Sequence, residues 1–220
     1  MADTSRAGTS VAACAGSGRC LLLQFARSPQ PGKVKTRMLP ALSAEQACEL
    51  HCELVLWTCE RLVASQLGEV RVCVAGNPHH PVFERCLAVG AVGLCEQRGS
   101  DLGERMFHAL QQALASYERV ILVGSDCPAL DTAYLQAARA ALEDVPVVIG
   151  PALDGGYVLI GARRIAAGVF QGIRWGGDEV YARTLENLAS AGLAARSLAP
   201  LADVDRPADL PAWLALREGG

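Results

Sequence analysis

The sequence predicts an α/β fold in which a mostly parallel sheet is covered by helices on both faces. Two observations lead to this prediction: apolar runs of strand length recur along the chain, and segments with helical spacing alternate with them. The runs lie at residues 20–26, 70–75, 91–95, 120–123, 145–149, 157–160 and, more weakly, 195–198. Continuous apolar runs are typical of strands buried on both faces. Alternation with helices predicts a doubly wound sheet, whose ligands bind in the loops after the strands.

Four longer segments have apolar residues at helical spacing. Ser43 and Gln46 form a capping-box pattern and predict the start of the first helix. Its apolar positions are Ala47, Leu50, Leu54 and Trp57. The other three segments are residues 102–116, 132–142 and 178–191, and Gly192 predicts the end of the last one. A short helix that ends near Leu216 is expected after the last strand.

Composition limits the classes of function. The chain has 220 residues, 51% of them hydrophobic, and a net charge of −3; its mean hydropathy is +0.22 and its pI is near 5.8. These values are typical of a globular protein and argue against nucleic-acid binding, which needs a basic surface. The apolar run at 20–26 is too short for a signal peptide, and no run has the length of a membrane span. A cytoplasmic location is therefore expected.

We expect one domain, residues 20–220, preceded by a flexible leader at residues 1–19. The leader is rich in Ala, Gly, Ser and Thr and has no periodic apolar pattern. Large α/β units often reach this length as a single domain.

The nine cysteines predict thiols packed in the core, because their number is odd and the chain is long. Those in or beside apolar runs are Cys20, Cys73, Cys95 and Cys127. A metal site from Cys48, His51 and Cys52 is the alternative, since their spacing places them near one helical face. No second ligand pair with zinc-finger spacing supports it.

The loop after the first strand is rich in cations. Residues 25–37 contain Arg27, Lys33, Lys35 and Arg37 around Gly32. Glycine lets the backbone approach an anion closely, and several cations supply the charge that a diphosphate requires. The loop is neither a Walker A motif nor a Rossmann glycine motif. It predicts a phosphate-binding loop; an ordinary solvated basic loop is the alternative.

Carboxylates follow two other strands. Asp126 comes directly after the run at 120–123, and Asp205 follows the last strand. Mg²⁺ or Mn²⁺ is commonly held by one or two carboxylates together with substrate phosphates. We therefore predict Asp126 and Asp205 as metal ligands, with Asp203 competing for the second position. The structural alternatives are a turn at Asp126 and a helix start at Asp205 before Pro207.

Two further loops could contact a substrate. Asp154, Gly155 and Gly156 lie between two predicted strands, where they could also form a tight turn. Residues 97–103 lead into a helix, so Asp101 is either an N-cap or a ligand contact. No serine-hydrolase elbow or catalytic-cysteine signature is present, and this argues against a hydrolase.

Six segments in this order resemble a bacterial family of glycosyltransferases within the nucleotide-diphospho-sugar transferase superfamily. The segments are FARSPQPGKVKTRM, QRGSDLGERM, GSDCPAL, GPALDGGYVLIG, FQGIRWGGDEVYARTL and DVDRPADL. The resemblance covers nearly all of the chain after Cys20. It implies a three-layer α/β/α Rossmann-like glycosyltransferase-A fold, with one antiparallel strand and with Mg²⁺ or Mn²⁺ bridging a diphosphate.

The resemblance also implies roles for individual residues. Those expected to bind the nucleotide are Phe25, Ala26, Arg27, Gly32, Lys35, Arg37, Gln97, Gly99 and Asp101. Those expected to bind the substrate are Asp154, Gly155, Gly156 and Trp175. Lys35, Arg37 and Asp154 are the expected catalytic residues. Asp126 matches the metal-binding aspartate of this family, and Asp205 matches the second metal ligand of related nucleotidyltransferases.

Two segments depart from the pattern. Trp175 is followed by two glycines where the family often has Ser-Thr, and residues 125–128 are closer to the Gly-Asp-x-Pro of nucleotidyltransferases than to the Asp-x-Asp of many glycosyltransferases. We predict a metal-dependent transferase that takes a nucleotide or nucleotide-sugar and an unidentified acceptor. Sugar transfer is favoured. The alternative is a nucleotidyltransferase that consumes a nucleoside triphosphate and a phosphorylated acceptor and releases pyrophosphate, and a non-catalytic nucleotide-binding module is the third possibility.

Overall fold

A computed structural model describes residues 19–219, and within this range the chain forms a seven-stranded sheet. The strands are β1 (Cys20–Arg27), β2 (Glu69–Ala75), β3 (Gly93–Glu96), β4 (Arg119–Val123), β5 (Val147–Pro151), β6 (Tyr157–Ala162) and β7 (Ala195–Ser197). Their order across the sheet is β3-β2-β1-β4-β6-β5-β7. Only β6 runs antiparallel to its neighbours among these strands. The carboxyl ends of the other six strands therefore meet at one edge, where we expect ligands.

Six α-helices lie in the described range. They are α1 (Ala44–Ala64), α2 (Pro81–Ala88), α3 (Leu102–Leu114), α4 (Thr132–Asp144), α5 (Val180–Ser190) and α6 (Leu210–Gly219). The predicted capping box at Ser43 and Gln46 starts α1. Helix α2 is absent from the sequence-based prediction because its eight residues are too few for a clear helical period. His80 caps it and Pro81 occupies its first turn, so the local start signal was present.

The helices cover both faces of the sheet, which confirms the three-layer α/β/α prediction. Alternate residues of β1 point to opposite faces: Leu22 packs in a core with α1, α2 and α4, whereas Leu21 and Leu23 pack in a core with α3 and α5. A third, smaller cluster joins Met38, α1, Val204 and Trp213. That cluster holds the basic loop and the C-terminal loop against the same helix, close to the carboxyl edge of the sheet.

The cysteine prediction is wrong for one pair. Cys73 and Cys95 form a disulfide bond between the adjacent parallel strands β2 and β3, where they stand directly opposite each other with their Cα atoms 4.5 Å apart. Their pairing depends on strand register, which local sequence does not reveal. Cys20 and Cys127 are free thiols, as predicted.

The last residue of the predicted leader, Arg19, is among the described residues. Arg19 contacts the fold: its guanidinium donates to Glu69 at 3.2 Å and lies over the ring of Tyr117. The remainder of the leader, residues 1–18, lies outside the described residues. Within the described part of the chain, no helix combines the length and apolar character needed to cross a membrane.

Candidate active site

The cationic loop and the predicted metal ligands share one cavity at the carboxyl edge of the sheet. We call it the polar cavity; its volume is about 380 Å³. It is lined by Arg27, Lys33, Val34, Lys35, Thr36, Arg37, His51, Asp126 and Asp205. Residues from three distant parts of the sequence thus converge, because the strands that precede them end at the same edge.

Lys35 connects all three parts. Its ammonium lies 2.6 Å from Asp126 Oδ1 and donates to the carbonyl oxygen of Val204 at 2.6 Å. Its side chain is 3% exposed, whereas that of Asp126 is 48% exposed. The Lys35 backbone adopts the left-handed conformation at φ 49°, which is unfavourable for a residue other than glycine. These two side-chain contacts help to hold that conformation, so Lys35 orders the loop as well as adding charge.

Arg37 and Asp205 form a second cross-link. The guanidinium Nη1 donates to Asp205 Oδ2 at 2.6 Å. The Asp205 backbone N–H donates in turn to Asp209 Oδ2 at 2.9 Å, at the start of the C-terminal helical segment. The alternative reading of Asp205 as part of a helix start is thus correct for its backbone, while its side chain faces the cavity. Each predicted metal ligand is paired with a cation of the basic loop.

Asp203 lies close to the same carboxylates without lining the polar cavity. Burial raises the pKa of Asp203, and the charges of Asp154, Asp205 and Asp126 raise it further. Negative charge therefore accumulates here, which favours a cation. Across residues 19–219 no group of three or more His, Cys, Asp or Glu side chains is arranged to hold a metal by itself. A metal held by two carboxylates, with substrate phosphates as its remaining ligands, would not need such a group.

One polar residue missed by the sequence analysis, Gln24, positions this site. Gln24 lies inside buried strand β1, and its amide donates to the carbonyl of Val55 at 2.8 Å and to Ser125 Oγ at 2.9 Å. Ser125 Oγ donates to the carbonyl of Phe25 at 2.8 Å. This network fixes the segment that carries Asp126 against the end of β1. A glutamine within an otherwise apolar strand was the available signal, since buried polar groups need partners.

His51, which the sequence analysis considered as a metal ligand with Cys48 and Cys52, also contributes to this site. It projects from α1 into the wall of the polar cavity, and its Nε2 lies 2.8 Å from the carbonyl oxygen of Arg27. Burial lowers the pKa of His51, and Nε2 is the donor in this contact because a carbonyl oxygen can only accept. Within residues 19–219 the side chains of His51, Cys48 and Cys52 are not arranged to hold a metal together, which argues against the alternative metal site.

The predicted substrate loop borders a different cavity, which we call the apolar cavity. Its volume is about 190 Å³ and it is lined by Phe25, Leu102, Met106, Leu122, Gly124, Asp154, Gly156, Tyr157, Val158, Leu159, Ile160, Trp175, Gly176, Gly177 and Val180. Asp154 Oδ1 accepts from the Gly156 backbone N–H at 3.0 Å. Gly155 has φ +91°, and a side chain there would collide with the carbonyl of Asp178. Asp154, Gly156 and Trp175 thus border one cavity, while Gly155 makes the tight turn.

Gln97 and Gly99, which the family resemblance places near the nucleotide base, and the neighbouring Asp101 line neither cavity. The Gln97 amide donates to the carbonyls of Cys73 at 2.8 Å and Ala26 at 3.1 Å, which ties β1 to β2. Asp101 caps α3 by accepting from the Glu104 N–H at 2.8 Å. Gly99 has φ +145° and packs tightly against α3. Ala26 and Gly32 do not line either cavity. The structural alternative for Asp101 is therefore confirmed, and a base contact from this segment stays a prediction.

Comparison with known proteins assigns the chain to a family. Residues 58–177 match a bacterial family described as "uncharacterized protein conserved in bacteria (DUF2064)". A crystal structure from Desulfovibrio desulfuricans, provisionally assigned as a nucleotide-diphospho-sugar transferase, is 37% identical over 86% of this chain and 84% of its own, with a TM-score of 0.77. The chain belongs to the bacterial family that residues 58–177 match. The family resemblance predicted from the six segments is confirmed.

More distant structures share the fold of the family. CMP:2-keto-3-deoxy-manno-octonic acid synthetase, solved with CTP, is 16% identical over 91% of this chain and 99% of its own, with a TM-score of 0.57. A Mycobacterium tuberculosis protein solved with manganese is 16% identical over 90% of this chain and 99% of its own, with a TM-score of 0.51. No curated protein sequence matches the chain significantly.

Proposed function

We propose that the chain is a divalent-metal-dependent transferase that acts on a nucleotide-diphospho-sugar. The observation that carries this proposal is the polar cavity, in which cations of one loop face two carboxylates from two other loops. A cavity lined by side chains of one sign of charge would suit a simple anion or cation. A mixed cavity suits a metal complex of a diphosphate, because the metal needs the carboxylates and the phosphates need the cations.

The cations of the loop have partners that a diphosphate can replace. Arg37 is half-exposed and pairs with Asp205, so its remaining donors can reach a phosphate oxygen in the cavity. Lys35 is held between Asp126 and Val204, and it presents a fixed positive charge beneath the cavity. As negative charge builds on the leaving diphosphate, these groups stabilise it without reorganising.

The carboxylates fit a hard divalent ion. Asp126 is half-exposed and Asp205 lines the same cavity, so both can offer oxygen ligands. We assign Mg²⁺ or Mn²⁺ to Asp126 and Asp205, with substrate phosphates as the remaining ligands. A bound divalent ion would neutralise charge on the diphosphate. Each carboxylate is paired with a cation, so a metal that takes the carboxylate leaves the cation without a partner, and the nucleotide phosphates can replace it. Metal and nucleotide should therefore bind cooperatively.

The relative at 37% identity favours sugar transfer. Nucleotidyl transfer, with release of pyrophosphate, is the second candidate, and one observation favours it. Ser125-Asp126-Cys127-Pro128 resembles the nucleotidyltransferase motif. In either reaction Asp154, at the border between the carboxylates and the apolar cavity, would orient or deprotonate the acceptor.

Calorimetric titration of UDP, CDP, GDP and ADP, each with Mn²⁺ and with chelator, tests the proposal. We expect at least one nucleoside diphosphate to bind more tightly with Mn²⁺ than with chelator. Incubation with the matching nucleotide-sugar or nucleoside triphosphate then separates the two reactions, because only nucleotidyl transfer releases pyrophosphate. Absence of nucleotide binding under all conditions would refute a nucleotide-dependent enzyme, and binding without turnover would indicate a binding module.

We also propose that residues 20–220 form one domain. The support is that all strands within the described range share one sheet, so no part of that range has a separate sheet of its own.

A further inference from the structure

The apolar cavity adjoins the polar cavity at the ends of β1 and β4. Phe25 and Gly124 line the apolar cavity, and two residues further along each segment, Arg27 and Asp126 line the polar cavity. The charges of Asp154 and Asp126 both act on Asp203, so the border between the cavities carries the carboxylates. A molecule in the apolar cavity would therefore lie next to a diphosphate in the polar one.

The walls of the apolar cavity have little capacity for hydrogen bonding. Leu122 and Ile160 come from the buried strands β4 and β6, Met106 comes from α3, and Val180 comes from α5. A protein cavity of about 150 Å³ with apolar walls binds benzene. At about 190 Å³, this cavity accommodates a group of about six to eight non-hydrogen atoms.

Three polar side chains border the apolar cavity, those of Asp154, Tyr157 and Trp175; the Tyr157 hydroxyl already donates to Met106 Sδ at 3.8 Å. Asp154 is the one charged residue among the lining residues of the apolar cavity. The indole Nε1 of Trp175 is buried and has no hydrogen-bond partner among residues 19–219. A buried donor without a partner is unfavourable, and an oxygen of a bound molecule would satisfy it. The Trp175 ring is held in place, since it packs against the Gly103 backbone and lies 6.5 Å from the ring of Phe170.

We propose that the apolar cavity binds the acceptor substrate, and that this acceptor is a small molecule with an apolar body and a single oxygen function between Trp175 and Asp154. The proposal rests on the transferase function proposed above and narrows it to a class of acceptor. A polyhydroxylated acceptor such as a free sugar is disfavoured, because the hydroxyl groups that face these walls would lose their hydrogen bonds to water and find few partners.

Cyclohexanol and myo-inositol form a matched pair of probes, because they share one ring and differ in having one hydroxyl or a hydroxyl on every carbon. The readout is the set of indole N–H resonances of protein labelled with ¹⁵N-tryptophan. The chain has three tryptophans, and the other two, Trp57 and Trp213, pack against each other in a separate cluster with their ring centroids 5.2 Å apart. Trp175→Phe identifies the Trp175 signal by its loss.

We expect cyclohexanol to shift the Trp175 resonance saturably, to leave the other two unchanged, and to bind at least about tenfold more tightly than myo-inositol. Val180→Phe should weaken cyclohexanol binding by filling the cavity. Val92→Phe, the same change at an exposed position, should not. The proposal would be overturned if cyclohexanol did not shift the Trp175 resonance, or if myo-inositol produced an equal response. Both outcomes are measured on the wild-type protein, so they do not depend on whether Val180→Phe folds.

Nucleotide titrations of the same samples separate this inference from the proposed function. Nucleotide binding with no response of Trp175 to cyclohexanol would refute the acceptor class and leave the transferase proposal standing. A response of Trp175 without nucleotide binding would refute the transferase proposal, and with it the assignment of the apolar cavity to an acceptor.

Discussion

The variant Asp126→Asn distinguishes two roles for Asp126, that of a metal ligand and that of a turn residue. The structure also predicts that this variant is less stable than the wild-type protein. The side chain of Asp126 pairs with the ammonium of Lys35 at 2.6 Å. Two unit charges at that distance interact by about 1.6 kcal/mol in water, and a hydrogen bond to a charged group contributes about 1.5–3 kcal/mol. Because Asp126 is 48% exposed and asparagine keeps an acceptor, we expect a loss of about 1–1.5 kcal/mol.

For a chain of this length that loss lowers the melting temperature by about 2–6 °C, measured by thermal unfolding in chelator. The same variant should lose the increase in nucleoside diphosphate affinity that Mn²⁺ produces, because a hard divalent ion requires the carboxylate charge. Calorimetric titration of the nucleoside diphosphate, with Mn²⁺ and with chelator, measures this second effect.

Asp131→Asn is the matched control. Asp131 caps α4 by accepting from the Tyr134 N–H, a role in which asparagine is nearly equivalent to aspartate. It should change neither the melting temperature nor the effect of Mn²⁺. If Asp126→Asn kept the full effect of Mn²⁺, the metal assignment would be wrong. An unchanged melting temperature would show that the pair with Lys35 contributes nothing to stability.

Three further predictions follow from contacts around the two cavities. Arg37→Ala should weaken nucleoside diphosphate binding about 10–100-fold, as expected for a lost charge-assisted hydrogen bond, and leave nucleoside binding unchanged; equal losses in parallel titrations would place the phosphates elsewhere. Burial raises the pKa of Asp203 and neighbouring carboxylates raise it further, so its ionised form destabilises the fold. Asp203→Asn should therefore raise the melting temperature in chelator, with a gain that grows as pH rises above about 3.9; a gain independent of pH would contradict this cause. Gly103→Ala should lower the melting temperature, because the added Cβ would lie 2.6 Å from the Trp175 ring and overpacking costs about 1–3 kcal/mol, whereas Gly168→Ala, with open space around its Cβ, should not; similar melting temperatures for the two variants would show that the ring yields.

Local patterns in the sequence were sufficient for most of the secondary structure. The run at 120–123 became β4 (Arg119–Val123), and Ser43 caps α1 as its pattern predicts. Asp101, which the sequence left open between a cap and a ligand contact, proved to be a cap. These features depend on residues a few positions apart, whose side-chain period and capping bonds are set by helix and strand geometry alone. The cations of the basic loop were found in the same way, because their number and their position after a strand are visible in the sequence.

The tertiary structure alone decided which distant residues meet. Register between β2 and β3 brought Cys73 opposite Cys95, which contradicted the prediction of free thiols. The shared edge of β1 and β4 brought Lys35 against Asp126, and thus gave a predicted phosphate ligand a second role in holding its own loop. The apolar cavity is likewise a product of packing, since residues of three strands and two helices leave space between them. Pairings of this kind depend on the order of strands across the sheet and on how helices fill the space above it, neither of which is encoded within a short stretch of chain.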